Sequence, residues 1–235
     1  ASGTGGMEGS VSNFFFFFYK TLYVNAGKVG ERWGKLCKTF GVQATEIKVE
    51  WGQAVNPQQV ADALKKDPSI KAVYLQASET STGVSHDVKA LGELIKGYDN
   101  TILVVDAITA LGVFDIKTDA WGLDVVITGS QKALMLPPGM AFVSVSDKAW
   151  ALADKAKNAA FYFNFKKERE TQTKNQTAWT PTVSLIVGLQ EVFRIMKAEG
   201  LENMFARQGR LALAMREGVK AAGMALFAKE SPSDA

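Results

Sequence analysis

Residues 101–132 read TILVVDAITALGVFDIKTDAWGLDVVITGSQK, and this stretch decides the fold. It contains two short apolar runs, 101–105 and 123–127, that are rich in β-branched residues. Runs of this length and composition favour buried strands over helices. Polar residues follow each run: Asp106 comes directly after the first, and residues 128–132 come after the second. We therefore predict two buried strands whose carboxyl ends carry polar side chains.

The same alternation of strand and helix patterns extends outward from this stretch. Apolar runs predict further strands at 42–50, 70–75 and 140–145. Apolar residues at helical spacing, with Asn56-Pro57 as a start and glycines as stops, predict helices at 32–40, 57–66 and 87–96. This order is typical of an α/β fold in which a mainly parallel sheet is sandwiched between helices.

Helical periods dominate after residue 146. They predict helices at 147–157, 182–199 and 201–222, with Leu185, Leu189, Val192, Phe193 and Met196 facing inward. The polar residues 164–177 indicate an exposed loop or a partner-facing segment. Residues 224–228 read as a final strand with no element after it, and the chain begins without a methionine. We therefore expect a piece of a longer protein.

Composition excludes several classes of protein. The 235 residues are 47% hydrophobic and 22% charged, which excludes disordered, collagen-like and coiled-coil chains. A formal net charge of +3 is too small to indicate binding to nucleic acid or to an anionic membrane. No apolar stretch reaches the ~18 residues of a membrane-spanning helix. One cysteine, Cys37, and one histidine, His86, exclude an intrachain disulfide and a His/Cys metal cluster, so we expect no metal and a reducing, cytoplasmic setting.

Polar residues at three predicted strand ends form the candidate site. Residues 76–83, Asp106 and residues 128–132 follow three strands of one sheet, and ligands of α/β sheets bind at the carboxyl ends of strands. A partly desolvated carboxylate at Asp106 needs a cation or a strong donor, although an Asp here could also cap the next turn. Lys132 precedes apolar residues and the rigid turn Pro137-Pro138-Gly139, a setting that suits imine formation, although most lysines near loops are solvated. Together the two residues suggest pyridoxal phosphate chemistry.

The glycine-rich start supplies a candidate phosphate site. Ser2-Gly3-Thr4-Gly5-Gly6 leads into a helical pattern, and the free N–H groups of a helix start bind phosphate. Glycine-rich helix starts also occur as plain turns, so this motif indicates a phosphate site only together with Asp106 and Lys132.

These motifs together resemble class V, fold type I, pyridoxal phosphate aminotransferases, and in particular their alanine–glyoxylate and serine–glyoxylate (serine–pyruvate) branch. The resemblance covers nearly the whole chain. It is carried by Ser2-Gly3-Thr4-Gly5, Asn25-Ala26-Gly27-Lys28-Val29-Gly30-Glu31-Arg32-Trp33, Glu79-Thr80-Ser81-Thr82-Gly83, Val105-Asp106, Gly129-Ser130-Gln131-Lys132-Ala133-Leu134 and Pro137-Pro138-Gly139. It implies a cofactor-binding large domain at 1–181, and long helices at 182–235 that lead toward a truncated C-terminal small domain.

The resemblance also implies roles for the central residues. Lys132 would hold the aldehyde carbon of pyridoxal 5′-phosphate and then move the substrate's proton. Asp106 would pair with the pyridine nitrogen, and Ile108 would pack under the ring.

Further residues would complete the cofactor site. Thr80 and Gln131 would bond the phenolic oxygen or the phosphate of the cofactor. The phosphate would be cradled by Ser2, Gly3 and Thr4, with help from residues 176–181 of a second subunit. The resemblance therefore implies a homodimer.

The expected reaction is a transamination from alanine or serine to glyoxylate or pyruvate, with amino acids and 2-oxo acids as the small-molecule partners. One alternative is a cysteine desulfurase or lyase of the same fold, but Gln131 replaces the usual histidine before the lysine, and Cys37 falls on an apolar helix face. Another is a non-catalytic, dimerising fragment, because Val29 stands where family members usually stack an aromatic ring on the cofactor. The run Phe14 to Phe18 reads as a buried strand, a dimer contact or an aggregation hazard.

Overall fold

A computed structural model describes residues 1–14, 18–156 and 160–235 of the chain. Most of the phenylalanine run, residues 15–17, and the predicted helix end at Lys157 lie outside the described residues. Of the rest of that run, Phe14 is fully buried at the end of a helix, whereas the side chain of Phe18 is 84% exposed.

The centre of the fold is a mainly parallel sheet. Its strands, in chain order, are β1 (Lys20–Asn25), β2 (Gln43–Lys48), β3 (Ile70–Gln76), β6 (Ile102–Asp106), β7 (Val125–Gly129) and β8 (Ala141–Val145). Their spatial order is β2-β1-β3-β6-β7-β8, and β8 alone among them runs antiparallel to its neighbour. Two short strands, β4 (Ser78–Glu79) and β5 (Val84–Ser85), form a separate antiparallel pair beside the end of β3.

Helices cover both faces of the sheet. The helices of the described residues are α1 (Gly3–Phe14), α2 (Lys28–Thr39), α3 (Pro57–Lys66), α4 (Val88–Ile95), α5 (Thr118–Trp121), α6 (Asp147–Lys155), α7 (Phe165–Gln172), α8 (Val183–Glu199) and α9 (Leu201–Ala221). One core lies between the sheet and α3 and α4, and contains Val60, Leu64 and Leu91. The other lies between the sheet and α1, α2 and α6, and contains Met7 and Trp33. The predicted sandwich of helices around a mainly parallel sheet is confirmed.

Local sequence explains why these elements begin and end where they do. The Asn56 side chain accepts a hydrogen bond from the backbone of Gln58, and Asn56 and Gln59 form a reciprocal capping box at the start of α3. Pro57 occupies the first turn, where its missing N–H has no cost. Gly41, at φ 67°, takes the left-handed conformation just after α2.

The segment at 164–177 is not a plain loop, because it contains α7. Asn164 caps that helix by accepting a hydrogen bond from the Lys167 N–H at 3.0 Å. None of the α7 residues is buried, so the segment lacks the apolar stripe by which a helix is recognised in a sequence.

The strand predicted at 224–228 is also absent. These residues form no regular element, and the backbone N–H of Lys229 instead donates to Gly52 O at 2.7 Å. Farther on, Pro232 makes an isolated bridge with Val84. The short apolar run finds no strand of the main sheet to pair with among the described residues.

In the long helix α8 the inward face is narrower than predicted. Val192 is buried and Leu185, Leu189 and Met196 are half-buried, but Phe193 is 46% exposed. Within the described ranges, no helix is both long enough and apolar enough to cross a membrane.

Candidate functional site

The candidate site lies at the carboxyl edge of β3, β6 and β7, the three central neighbours of the sheet. Gln76 at the end of β3 pairs with Asp106 at the end of β6, and Asp106 pairs with Ile127 of β7. The polar residues after these strands therefore come together, as the sequence predicts. The edge collects side chains from segments that are distant in the chain.

Asp106 is buried at this edge, with only 5% of its surface exposed. Its Oδ1 atom accepts a hydrogen bond from the backbone N–H of Ile108 at 2.9 Å. Desolvation raises the pKa of Asp106 to about 6, against the lowering effects of that hydrogen bond and of the Arg32 and Lys132 charges. Among the described residues no donor reaches Oδ2, so the carboxylate can accept one more N–H.

Lys132 lies in a tight turn after β7 that is held by Ser130. The Ser130 hydroxyl donates to Pro137 O at 2.8 Å and accepts from the Met140 N–H at 3.2 Å. The N–H of Met135, at φ 54°, closes the turn on Lys132 O at 2.8 Å. The Lys132 side chain is exposed in this turn, so the apolar surroundings expected from the neighbouring residues do not enclose it.

The N-terminus of α1 meets the same edge through close glycine contacts. A Cβ added to Gly3 would lie 2.4 Å from Ile108 Cδ1, so a larger residue at this position would have to displace the Ile108 side chain. A Cβ added to Gly129 would lie 3.3 Å from Gly3 N and 2.9 Å from Gln131 Oε1. Gln131 Oε1 is buried and has no hydrogen-bond partner among the described residues. The structure therefore brings Gly3, Ile108 and Gln131 together.

The remaining predicted residues line the outside of this edge. Ser2 and Thr4 are exposed at the start of α1. Thr80 is exposed on the loop after β4, and its hydroxyl donates to Thr109 Oγ1 at 3.5 Å. Thr109, on the loop after β6, adds a hydroxyl that sequence reasoning did not single out.

Two charged residues of this edge were also missed as site residues. Arg32 projects from α2, and its Nη1 donates to Thr4 Oγ1 at 3.4 Å. Glu79, the last residue of β4, is fully buried against the start of α2. Both residues occur in the quoted motifs, but their contacts across the site join residues 28 to 50 positions apart in the chain, which no local pattern records.

Other candidate chemistry lies elsewhere or has no geometry to support it. Cys37 is fully buried in the core under α2, and burial raises the pKa of its thiol to about 12. No group of three or more His, Cys, Asp or Glu side chains able to hold a metal ion occurs within the described part of the chain. A cavity of about 600 Å³ lies beyond β8, lined by aromatic residues such as Trp150 and Trp179, and its lining includes neither Asp106 nor Lys132.

Comparison with known proteins gives a consistent family. Residues 20–234 match the family described as aminotransferase class-V. The small subunit of a soluble hydrogenase from Synechococcus sp. (strain PCC 6716) is 42% identical over 234 residues, which cover 98% of this chain and 61% of that protein. A serine–glyoxylate aminotransferase from Hyphomicrobium methylovorum is 36% identical, over 98% of this chain and 58% of that protein.

A solved structure has the same fold. The crystal structure of an alanine–glyoxylate aminotransferase from Nostoc sp. matches with a TM-score of 0.90 at 27% identity, covering 95% of this chain and 60% of that one. The chain spans about 60% of the length of the curated relatives it matches. On the family match and these similarities, the chain belongs to the class-V aminotransferase family.

Proposed function

We propose that this chain is the cofactor-binding part of a pyridoxal phosphate-dependent transaminase. The observation that carries the proposal is that Asp106 and Lys132 lie at one sheet edge beside the N-terminus of α1. The Asp106 carboxylate is buried with a single hydrogen bond, and the Lys132 charge lowers its pKa. The names of the relatives support glyoxylate as the acceptor, since they include serine–glyoxylate and L-aspartate–glyoxylate aminotransferases. We propose alanine or serine as the donor and glyoxylate or pyruvate as the acceptor.

The residues of this edge fit pyridoxal phosphate. The Oδ2 atom of Asp106 has room for one N–H donor, which a protonated pyridine nitrogen provides. Gln131 Oε1 is a buried acceptor without a partner, which a bridging water can satisfy, while Nε2 of the same side chain can donate to the oxygens of the cofactor. At the start of α1 the Gly5 N–H donates to Ser2 O at 2.8 Å, whereas the N–H groups of Gly3 and Thr4 have no partner within the helix and can bind a phosphate dianion.

Each side chain then has a physical task. The cofactor, when bound, withdraws electron density from Cα of an amino acid. Asp106 holds a proton on the ring nitrogen through its negative charge. Lys132 Nζ takes the proton from the substrate's Cα, and the hydrogen bonds of Ser130 hold the turn that carries Lys132. Ile108 supplies apolar surface beside Gly3 for the ring to pack on.

The polar residues orient the cofactor. Thr80 and Gln131 donate to its phenolic oxygen or phosphate, and Ser2, Gly3 and Thr4 hold the phosphate. Arg32, bonded to Thr4, adds a positive charge near both the phosphate site and Asp106.

The assembly is part of the same proposal. We propose a homodimer in which residues 176–181 of the second subunit complete the phosphate site. We also propose that 1–181 forms the cofactor-binding domain and that 182–235 leads toward a C-terminal small domain. The single, buried Cys37 supports a reducing compartment such as the cytoplasm.

Covalent capture of the cofactor tests this proposal. The chain is incubated with pyridoxal phosphate, treated with borohydride to fix any cofactor held by a lysine, digested and analysed by mass spectrometry. We expect the modification on Lys132, and its loss in Lys132→Ala. Lys89→Ala, which removes an exposed lysine of α4, is the matched control and should keep the modification. Modification spread over many lysines, or retained in Lys132→Ala, would contradict the proposal.

The alternative functions receive less support from the structure. A cysteine desulfurase needs a reactive thiol, and Cys37 is enclosed in the core with a strongly raised pKa. The feature that favours a non-catalytic fragment is Val29, which offers no ring to stack on the cofactor. Capture on Lys132 without turnover would favour that second alternative.

A further inference from the structure

Glu79 has an unusual position for a carboxylate that the proposed chemistry does not use. It is fully buried, yet no lysine or arginine forms an ion pair with it among the described residues. Its carboxylate instead accepts hydrogen bonds from uncharged donors. Oε1 accepts from Val29 N at 3.2 Å and from Ser81 N and Oγ at 3.2 and 2.6 Å, while Oε2 accepts from Gly30 N at 2.9 Å and Gln76 Nε2 at 3.0 Å.

Two of these donors are the free N–H groups in the first turn of α2. Gly27, the residue before α2, provides no side-chain cap, so Glu79 does the capping from a different part of the chain. The approach is close, because a Cβ on Gly27 would lie 2.6 Å from Glu79 Cδ. The carboxylate also interacts favourably with the partial positive charge at the helix start.

This arrangement distinguishes the two helices that begin at the site. The N-terminus of α2 is filled by an internal anion, whereas that of α1 presents its N–H groups without one. Phosphate is therefore directed to α1, because a second anion at α2 would meet the buried negative charge of Glu79.

Glu79 also joins two segments that carry site residues. Through Val29 and Gly30 it fixes the start of α2, which carries Arg32 one turn later. Through Ser81 it fixes the loop that carries Thr80. Arg32 then reaches Thr4 at the start of α1, and Thr80 reaches Thr109.

We propose that Glu79 is a positioning residue for cofactor binding: its carboxylate plugs the N-terminus of α2 and locks Arg32 and Thr80 into place. The proposal rests on the proposed function, since it assigns Glu79 a task toward the same cofactor. It predicts a loss of cofactor affinity on removal of the carboxylate, although Glu79 itself need not touch the cofactor.

The test is a titration of the folded chain with pyridoxal phosphate, followed by absorbance, for Glu79→Ala and Glu79→Gln. We expect the dissociation constant to rise on the order of tenfold in Glu79→Ala, in line with residues that orient the ligands of a site. Glu79→Gln keeps one acceptor oxygen, so its loss of cofactor affinity should be smaller. Formate at millimolar concentrations should partly restore affinity in Glu79→Ala, because it can occupy the vacated donors.

Asp124 offers a matched control at the opposite edge of the sheet. It is also a buried carboxylate, and it accepts from Leu103 N at 2.9 Å and Ser146 Oγ at 2.8 Å. Unlike Glu79 it also has an ion-pair partner, with Lys148 Nζ 3.7 Å from Oδ2. Asp124→Asn should lower the thermal unfolding midpoint but change the cofactor dissociation constant by less than about twofold, since distant sites act independently. Unchanged affinity in both Glu79 variants, or an equal loss in Asp124→Asn, would overturn the proposal. If Glu79→Ala does not fold, Glu79→Gln decides.

Hydrogen exchange separates this proposal from the proposed function. If the parent chain binds no pyridoxal phosphate, the proposed function fails for this chain. Hydrogen exchange at the Val29 and Gly30 amides still measures whether Glu79 holds the start of α2. Faster exchange in Glu79→Gln supports this role, and unchanged exchange refutes it.

Discussion

Asp106 shows, within one residue, a conflict between stability and chemistry. A buried carboxylate with a single hydrogen bond is costly to ionise, which is why its pKa is raised to about 6 by burial. Because Oδ2 has no hydrogen-bond donor among the described residues, it can bind a cationic ligand. Sites that keep such a group give up folding free energy for function.

Asp106→Asn should therefore stabilise the chain while weakening cofactor binding. Above pH 6 the native carboxylate is ionised at a cost that the unfolded chain, with a pKa near 3.8, does not bear. A shift of this size corresponds to roughly 2–3 kcal/mol at pH 8, and the difference shrinks as pH falls from about 6 to 4. Urea unfolding of both proteins at pH 8 and at pH 4.5 measures it. An Asn variant that is less stable at pH 8 would show that the carboxylate is not strained.

Cofactor affinity should fall as pH drops through about 6, because protonation of Asp106 removes its attraction for the pyridine nitrogen. The charges that act on Asp106 are Arg32 and Lys132, which lower its pKa, and Glu79, which raises it. Arg32→Met should therefore raise the pH at which cofactor affinity falls. Titrations with pyridoxal phosphate from pH 5 to 8 test this. Asp106→Asn serves as the control that reports the cofactor's own titration, and identical profiles for it and the parent chain would be inconsistent with this role.

Sequence reasoning located some of these residues and not others, for a physical reason. Asp106 and Lys132 follow apolar strands directly, so their placement at the sheet edge depends only on local pattern. Glu79 and Arg32 act through contacts with residues far along the chain, such as Gly30 and Thr4. No local pattern records which distant backbone a buried carboxylate will cap.

At the level of elements, α1 packs through glycines as well as through the apolar side chains of Met7, Val11 and Phe14. A Cβ on Gly6 would lie 2.7 Å from Ile127 Cγ2, and one on Gly9 would lie 2.5 Å from Phe165 Cε1. Glycine is a poor helix former, so close packing and not propensity stabilises α1. This packing places the helix start against the end of β7.

A substitution pair tests the role of these glycines. Gly6→Val should destabilise the chain by about 1–3 kcal/mol through overpacking against Ile127. Gly218 in α9 has no neighbouring atom within 4 Å of an added Cβ, so Gly218→Ala should stabilise by up to about 1 kcal/mol. Thermal or urea unfolding gives both values. Equal effects of the two changes would mean that α1 does not pack as described.

Elements with strong local signals were the predictable ones. The strands β3, β6 and β7 and the capped helix α3 were found within one or two residues, because apolar runs and capping residues define them. The helix α7 was missed because it has a cap but no apolar face, and the strand expected at 224–228 had no partner strand. Whether a strand finds a neighbour depends on the whole sheet, so a short apolar run does not by itself predict strand pairing.

At the scale of the whole molecule, α8 and α9 leave much apolar surface uncovered. Val183, Val187 and Phe193 of α8 and Leu211 and Met215 of α9 are each more than 40% exposed. Exposed apolar surface of this kind is typical of an interaction face. It agrees with the proposed homodimer, in which these helices would be covered.

The chain should therefore self-associate through α8. Sedimentation velocity should give a species with twice the mass of one chain, and Val187→Asp should shift it toward monomer by placing a charge on the apolar face. Gln190→Asp adds the same charge at an exposed polar position of α8 and is the control. A monomer for the parent chain, or equal dissociation by both variants, would argue against this interface.

The most direct test of the central claim is an absorption spectrum of the chain with pyridoxal phosphate, before and after addition of serine or alanine and then glyoxylate. We expect a protein-bound cofactor band that changes with the amino acid, returns with glyoxylate and is lost in Lys132→Ala. A spectrum that shows no bound cofactor, or a band that no amino acid alters, would contradict the claim that this chain carries the transaminase site.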